Sequence, residues 1–105
     1  MQYIKPLELK GKFDRNETVI VVDIREHYEL DICKFRALHI PMETVTDRIS
    51  ELDHSAEVVV VCKTGRRAEA VTNLLIKEHN FKNVKVLEGG IIGWIEQVDS
   101  HLETY

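Results

Sequence analysis

The sequence predicts an α/β domain of three layers, in which a central, mostly parallel five-stranded sheet lies between helices. Short runs rich in β-branched residues alternate along the chain with stretches whose apolar residues recur at helical spacing. Two of these runs, residues 18–24 and 58–61, are nearly continuous in apolar side chains, which is typical of parallel strands buried on both faces. A length of 105 residues suits one domain, which we expect to span residues 1–105.

The predicted elements before residue 58 are an edge strand at 3–4, a helix at 6–13, strands at 18–24 and 37–40, and a helix at 43–52. Pro6 suits the first position of a helix. Pro41 closes the short strand, because proline cannot donate to a strand ladder. The last helix is predicted because Val45, Ile49 and Leu52 share one helical face.

After the strand at 58–61, the sequence predicts a helix at 67–78, a strand at 84–87 and a helix at 91–98. Both helices carry an apolar stripe at helical spacing, which includes Leu75 in the first and Trp94 in the second. Asn80 is expected to end the first helix in the left-handed conformation. The pair Gly89-Gly90 indicates a tight turn with positive φ.

The composition argues against several classes of function. A net charge of −4 disfavours a general nucleic-acid binder. The chain has no apolar run of about 18 residues and no apolar N-terminal segment, so we expect no membrane span, no signal peptide and a cytoplasmic location. The spacing of Cys33 and Cys62 fits a reducing compartment. None of the histidines has metal-ligand spacing with either cysteine, so no metal site is predicted.

Cys62 is the candidate catalytic residue. It follows the apolar strand and precedes a loop of glycine and basic residues that leads into a helix. Ligands of parallel sheets bind at the carboxyl ends of strands, and a helix N-terminus favours an anion through its unpaired N–H groups and its dipole. The loop therefore favours a thiolate, the nucleophilic form of cysteine. The other interpretation of Cys62 is a small, inert, buried side chain.

Residues 62–67 (CKTGRR) resemble the six-residue active loop of the rhodanese family of sulfurtransferases, Cys-x-x-Gly-x-Arg/Thr. Three further segments resemble that family in order and spacing, namely 22–26 (VDIRE), 39–41 (HIP) and 88–94 (EGGIIGW). The resemblance covers nearly the whole chain and implies a rhodanese-type fold. It also implies sulfur transfer through a persulfide on Cys62, without a cofactor, from a donor such as thiosulfate to a thiophilic acceptor.

The residues after the cysteine have different predicted roles. Thr64 and Gly65 would act through their backbone N–H groups, because glycine permits a conformation in which such groups converge. Lys63 and Arg66 would face outward and receive a small anionic donor or an acidic protein. Arg67 is expected either to anchor the loop or to contact the substrate.

Asp23 and Arg25 end the strand that should lie beside the cysteine strand. Asp23 is predicted to give structural support, since an acid close to a thiolate disfavours the charged sulfur. For Arg25 two interpretations stay open, an anion contact at the rim of the pocket and an internal ion pair. Cys33 is expected to be a passive, partly buried thiol, and His39 to make a structural hydrogen bond.

Residues 31–34 and 93–99 resemble more particularly the rhodanese domain at the C-terminus of molybdopterin-synthase and thiamine-pathway adenylyltransferases. This resemblance implies a ubiquitin-like sulfur-carrier protein or a cysteine desulfurase as a partner. It leaves open whether the chain stands alone or was cut from a larger protein.

Two other classes of protein share part of this pattern. Tyrosine phosphatases share a cysteine in an anion-binding loop, but their pattern is His-Cys-x5-Arg. Here Val61 precedes the cysteine and Arg67 comes one residue too early, so the loop suits a single sulfur better than a phosphate. Rhodanese-like domains also serve as non-catalytic binding modules, often with the cysteine replaced. The intact loop around Cys62 favours an enzyme.

Overall fold

The computed structural model describes residues 1–105, in which strands and helices alternate. The strands are β1 (Gln2–Ile4), β2 (Ile20–Asp23), β3 (Leu38–His39), β4 (Glu57–Val61) and β5 (Asn83–Leu87). The α-helices are α1 (Pro6–Asp14), α2 (His27–Ile32), α3 (Val45–Arg48), α4 (Arg66–His79) and α5 (Gly90–Gln97). Two 3-10 turns, Met42–Thr44 and Ile49–Glu51, flank α3. None of the helices has both the length and the apolar character needed to cross a membrane.

The five strands form one sheet in the order β1-β5-β4-β2-β3, and every neighbouring pair is parallel. β4 is central, where Val58 is in register with Ile20 of β2 and with Val84 of β5. The predicted sheet is therefore confirmed and is parallel throughout. Because all strands run the same way, their carboxyl ends meet at one edge, the edge at which ligands bind in such folds.

The sheet separates two hydrophobic cores. Val60 and Cys62 belong to the core that contains Leu75 of α4, whereas Val61 belongs to the core that contains Trp94 of α5. Successive strand residues point to opposite faces, so β4 must be apolar at consecutive positions to fill both cores. Its last four residues are fully buried, which explains the continuous valine run. The predicted three-layer α/β/α arrangement is confirmed.

The turns at the ends of α4 and β5 follow the predicted chemistry. Asn80 ends α4 with a φ of 60°, and the N–H of Phe81 donates to the carbonyl of Leu75 at 3.1 Å. Gly89 and Gly90 have φ values of 75° and 60°. These left-handed conformations turn the chain from β5 into α5 within two residues.

The prediction of one helix over residues 43–52 is wrong. The segment folds as α3, of four residues, between two 3-10 turns. Val45 and Leu52 are still buried in the core, as their spacing predicted. The hydroxyl of Thr44 donates to the carbonyl of Pro41 at 2.9 Å, and such local bonds compete with a continuous helix.

The helix α2 was not predicted at all. It begins after Glu26, whose N–H donates at 3.0 Å to the carboxylate of Glu29, as in a capping box. With only six residues it shows no full amphipathic period. Its position decides the geometry of the candidate site, because it places the Glu29 carboxylate against the loop that follows Cys62.

Candidate functional site

Cys62 lies one residue beyond β4, at the carboxyl edge of the sheet, and is only 1% exposed. Its Sγ accepts a hydrogen bond from the backbone N–H of Gly65 at 3.0 Å. Gly65 reaches this position with a φ of 114°, which is accessible to glycine and unfavourable for other residues. The glycine of the loop thus directs an N–H group at the sulfur, as the sequence predicted.

The loop and the first turn of α4 carry further free donors. The backbone N–H groups of residues 63, 64, 66, 67 and 68 have no hydrogen-bond acceptor within the protein. Donors of this kind at a helix N-terminus, together with the helix dipole, stabilise an anion. The immediate surroundings of the sulfur are therefore suited to a negative charge on Cys62 or on an atom bound to it.

The turn after β5 holds the beginning of this loop in place. The N–H of Ile91 donates to the carbonyl of Cys62 at 2.9 Å, and that of Ile92 donates to the carbonyl of Lys63 at 3.1 Å. Gly90 packs so closely that a Cβ there would lie 2.4 Å from the Lys63 carbonyl oxygen and 2.5 Å from that of Cys62. The N-terminus of α5 thus fixes the direction in which the backbone leaves Cys62.

Arg67 is an anchor of the loop in this structure. It donates both Nη atoms to the carboxylate of Glu29, at 2.7 and 2.9 Å. Glu29 is 2% exposed, and the hydrogen bonds from Arg67, from the N–H of Glu26 and from the phenol of Tyr105 hold its pKa at about 2, against the opposing effect of burial. The hydrogen bonds to Glu29 raise the pKa of the Arg67 guanidinium, so Arg67 keeps its charge beside the loop.

Asp23 and Arg25 form a buried ion pair. Arg25 donates to both carboxylate oxygens of Asp23, and its Nη2 also donates to the carbonyl of Cys33 at 2.7 Å. The Arg25 side chain is fully buried, so the geometry matches the internal ion pair rather than a contact at the pocket rim. Burial opposes the charge of Arg25, but the hydrogen bonds to Asp23 and Tyr105 outweigh it and raise the pKa of the guanidinium.

Tyr105 connects the two ion pairs. Its phenol oxygen accepts a hydrogen bond from Arg25 Nη1 at 2.9 Å and donates one to Glu29 Oε2 at 2.7 Å. The Nζ of Lys63 lies 4.5 Å from the centre of the Tyr105 ring, within cation–π distance. Neither Glu29 nor Tyr105 was predicted as a site residue. The capping pattern of Glu26 and Glu29 is a sequence signal that could have indicated Glu29. No local pattern in the sequence indicates Tyr105.

The remaining predicted residues lie where the loop reaches solvent. Thr64 and Arg66 are exposed and Lys63 is half-buried, so all three border the site from outside. The two surface cavities of the molecule are lined by other residues, which cluster around Phe13 and Arg36. Neither of these cavities leads to Cys62, which is itself 1% exposed.

Cys33 and His39 form hydrogen bonds elsewhere and not with the Cys62 sulfur. Cys33 is buried in the opposite core from Cys62, and burial raises the pKa of its thiol, which agrees with a passive role. His39 makes a structural hydrogen bond through Nε2 to the carbonyl of Arg25 at 2.6 Å, as expected. No group of three or more His, Cys, Asp or Glu side chains is arranged to hold a metal ion.

The ion pair of Glu29 with Arg67 is expected to make the free energy of unfolding fall at acid pH. The pKa of Glu29 is lowered from an ordinary value of 4.5 to about 2, so its stabilising contribution is complete above pH 4.5 and is lost as the pH falls towards 2. We expect Glu29→Gln to lower the free energy of unfolding by about 2 kcal/mol at pH 7. The difference from wild type should shrink between pH 4.5 and 2, which urea unfolding at several pH values would measure.

The matched control is Glu51→Gln. Glu51 forms an ion pair with Arg48 at the surface, where Glu51 is exposed and Arg48 is half-buried, and such pairs contribute little. A pH-independent gap between wild type and Glu29→Gln would contradict the assignment of the low pKa to Glu29.

Comparison with known proteins identifies the family. The sequence model of the rhodanese-like domain matches residues 5–97. A putative sulfurtransferase of Bacillus subtilis, YtwF, is 34% identical over 92 residues, with 87% of each chain covered. The adenylyltransferase and sulfurtransferase UBA4 of Candida glabrata is 30% identical over 105 residues. The match covers 90% of this chain but 24% of UBA4, so the chain spans about a quarter of that relative.

Solved structures agree with the sequence comparison. A rhodanese-like domain protein from Staphylococcus aureus superimposes with a TM-score of 0.82 at 30% identity. The superposition covers 100% of this chain and 99% of that protein. The three-layer fold is thus that of known rhodanese-like structures.

Proposed function

We propose that this chain, which belongs to the rhodanese-like domain family, is a sulfurtransferase that carries sulfur as a persulfide on Cys62. The observation that carries the proposal is the N–H of Gly65 directed at the Cys62 sulfur at 3.0 Å. The other N–H groups of the loop and of the N-terminus of α4 are also without a partner within the protein. These donors would stabilise both the attacking thiolate and the terminal sulfur of a persulfide anion.

The reaction would proceed in two half-reactions. In the first, the Cys62 thiolate attacks the outer sulfur of a donor such as thiosulfate. A bond forms between Sγ and that sulfur, the sulfur–sulfur bond of the donor breaks, and sulfite leaves with the electron pair. In the second, a nucleophile such as cyanide or a thiol attacks the terminal sulfur and releases the Cys62 thiolate. Electrons and atoms balance without a further oxidant or a cofactor.

Arg67 and Asp23 would serve this chemistry indirectly. The bidentate pair of Arg67 with Glu29 would fix the first turn of α4, and with it the unpaired N–H groups of that turn. The Asp23 carboxylate is neutralised by Arg25, so it adds little repulsion to a nearby thiolate. The loop length supports sulfur rather than phosphate as the transferred group, because α4 begins only four residues after Cys62.

The physiological donor and acceptor are proposed from the relatives. UBA4 is named both an adenylyltransferase and a sulfurtransferase, and a relative from Bacillus subtilis, YrkF, is named a putative sulfur carrier protein. We propose that a ubiquitin-like sulfur-carrier protein accepts the sulfur, and that a small anionic donor or a cysteine desulfurase supplies it. The exposed Arg66 suits an acidic surface on such a partner.

Intact-mass spectrometry after incubation with thiosulfate tests the proposal. We expect the protein to gain one sulfur atom, about 32 Da, and to lose it on addition of cyanide. Peptide mapping should place the added sulfur on the peptide that contains Cys62. Steady-state plots against the two substrates should be parallel, as a ping-pong mechanism requires. The Cys33→Ser variant is the matched control and should gain the same mass, because Cys33 lies in the opposite core. A wild-type protein that gains no sulfur from any sulfane donor would instead support a non-catalytic binding module.

A further inference from the structure

The Cys62 site is closed in the structure, although a sulfur donor must reach it. Cys62 is 1% exposed, Arg25 is fully buried, and no surface cavity includes the loop. A side chain that covers the site must therefore move, or be displaced, before a donor can bind. The chain segment after α5 supplies a candidate, since it brings Tyr105 into contact with Lys63 of the loop.

Tyr105 lies against two cations, with Lys63 Nζ 4.5 Å from the ring centre and Arg25 Nη1 2.9 Å from the phenol oxygen. Burial and the hydrogen bond to Glu29 raise the pKa of the Tyr105 phenol to about 12, so the group is neutral at pH 7. The neutral phenol thus lies between the Arg25 guanidinium, which is paired with Asp23, and the Glu29 carboxylate, while the ring faces the Lys63 ammonium.

The Glu29 carboxylate does not depend on Tyr105 alone. It also accepts hydrogen bonds from both Nη atoms of Arg67 and from the N–H of Glu26, and it keeps these partners when the Tyr105 side chain is removed. Removing the Tyr105 side chain would leave one Nη1 hydrogen of Arg25 and the Lys63 ammonium without their present partner. Both would then be available to an anionic ligand beside the loop.

We propose that Tyr105 is a specificity-determining residue, whose side chain competes with the anionic group of a small sulfur donor for Lys63 and Arg25. The proposal rests on the sulfur-transfer function proposed above. It means that small anionic donors such as thiosulfate must displace Tyr105 before their charged end is bound. A donor that does not need these two cations avoids that competition.

Two Tyr105 variants separate its contacts. Tyr105→Ala removes the contacts with both cations, and we expect kcat/KM for thiosulfate to rise about three- to tenfold, mainly through a lower KM. Tyr105→Phe keeps the ring over Lys63 and frees only Arg25, so its gain should be smaller. The control is Tyr28→Ala, because the Tyr28 side chain is exposed and takes part in no side-chain hydrogen bond or aromatic pair of the structure. Equal or lower kcat/KM in Tyr105→Ala, with an unchanged thermal midpoint, would overturn the proposal.

Alkylation of Cys62 gives a readout that does not need sulfur transfer. Iodoacetate is an anion and iodoacetamide is neutral, so the ratio of their rates reports the positive charge available near the sulfur. Tyr105→Ala should raise this ratio about threefold or more, and the added Lys63→Met substitution should remove most of that increase. Peptide mapping separates Cys62 from Cys33.

The two readouts distinguish the two proposals. If wild type takes up no sulfur from thiosulfate while the alkylation ratio rises in Tyr105→Ala, the proposed function fails and the role of Tyr105 in anion access stands. If both reagents accelerate equally in Tyr105→Ala, Tyr105 is a cover without charge selectivity and the inference is wrong. An unchanged ratio with unchanged rates would also overturn it.

Discussion

Replacing Cys62 with serine is expected to abolish sulfur transfer and to leave the fold intact. A serine hydroxyl is a far weaker nucleophile than a thiolate and cannot form a persulfide, so the rate should fall by more than about a thousandfold. The serine oxygen can still accept the hydrogen bond from the N–H of Gly65. The buried loop therefore keeps its partner, and we expect little change in thermal stability.

The measurement is turnover of thiosulfate and cyanide, together with the mass of the protein after exposure to thiosulfate. Cys62→Ser should show neither turnover nor the gain of one sulfur, whereas the Cys33→Ser control should show both. If sulfur uptake persists in Cys62→Ser, the reactive thiol is Cys33 and the assignment of Cys62 is wrong. Partner binding that survives in Cys62→Ser would be compatible with either an enzyme or a binding module.

Replacing Gly90 with alanine is expected to damage both stability and activity. The new Cβ would lie 2.4 Å from the carbonyl oxygen of Lys63 and 2.5 Å from that of Cys62, and those backbone atoms cannot move without moving the loop. The φ of 60° at Gly90 is a further cost for any residue with a side chain. We expect the free energy of unfolding to fall by about 3 kcal/mol or more.

Activity should fall with stability, because the carbonyls that would be displaced accept the hydrogen bonds from Ile91 and Ile92 that orient the start of the loop. Urea unfolding and the rate of persulfide formation on the folded fraction would measure the two effects. The control is Gly11→Ala in α1, where the nearest atom to the new Cβ belongs to the flexible side chain of Arg15. There we expect a gain of about 0.5–1 kcal/mol, as for alanine in a helix interior. Equal stability of the two variants would contradict the close packing of Gly90 on the loop.

Much of the fold was predictable from local patterns. The valine run of β4 is apolar at consecutive positions because both faces of a central parallel strand are buried. Asn80 and the glycines after β5 were predictable because few residues adopt positive φ. Both features can be predicted from a few neighbouring residues, because each depends on the residue types at those positions and not on distant contacts.

Short helices were predicted less well. Residues 43–52 have the spacing of one helix but fold as α3 between two 3-10 turns, since local hydrogen bonds and low helix propensity compete with the apolar face. The six-residue α2 is too short to show a helical period. Its formation depends on its capping hydrogen bonds and on the ion pair of Glu29 with Arg67, which is separated from it by 38 residues.

Local sequence patterns were sufficient to predict the parallel α/β architecture and the candidate loop from Cys62 to Arg67, because both depend on the order and spacing of residues along the chain. The tertiary structure decided what surrounds that loop. In the folded chain, Arg67 forms an ion pair with Glu29, and Arg25 forms a buried ion pair with Asp23. Tyr105 forms a hydrogen bond with a member of each pair. Contacts between residues 76 and 80 positions apart leave no local pattern, since they arise only when the packed sheet brings distant segments together.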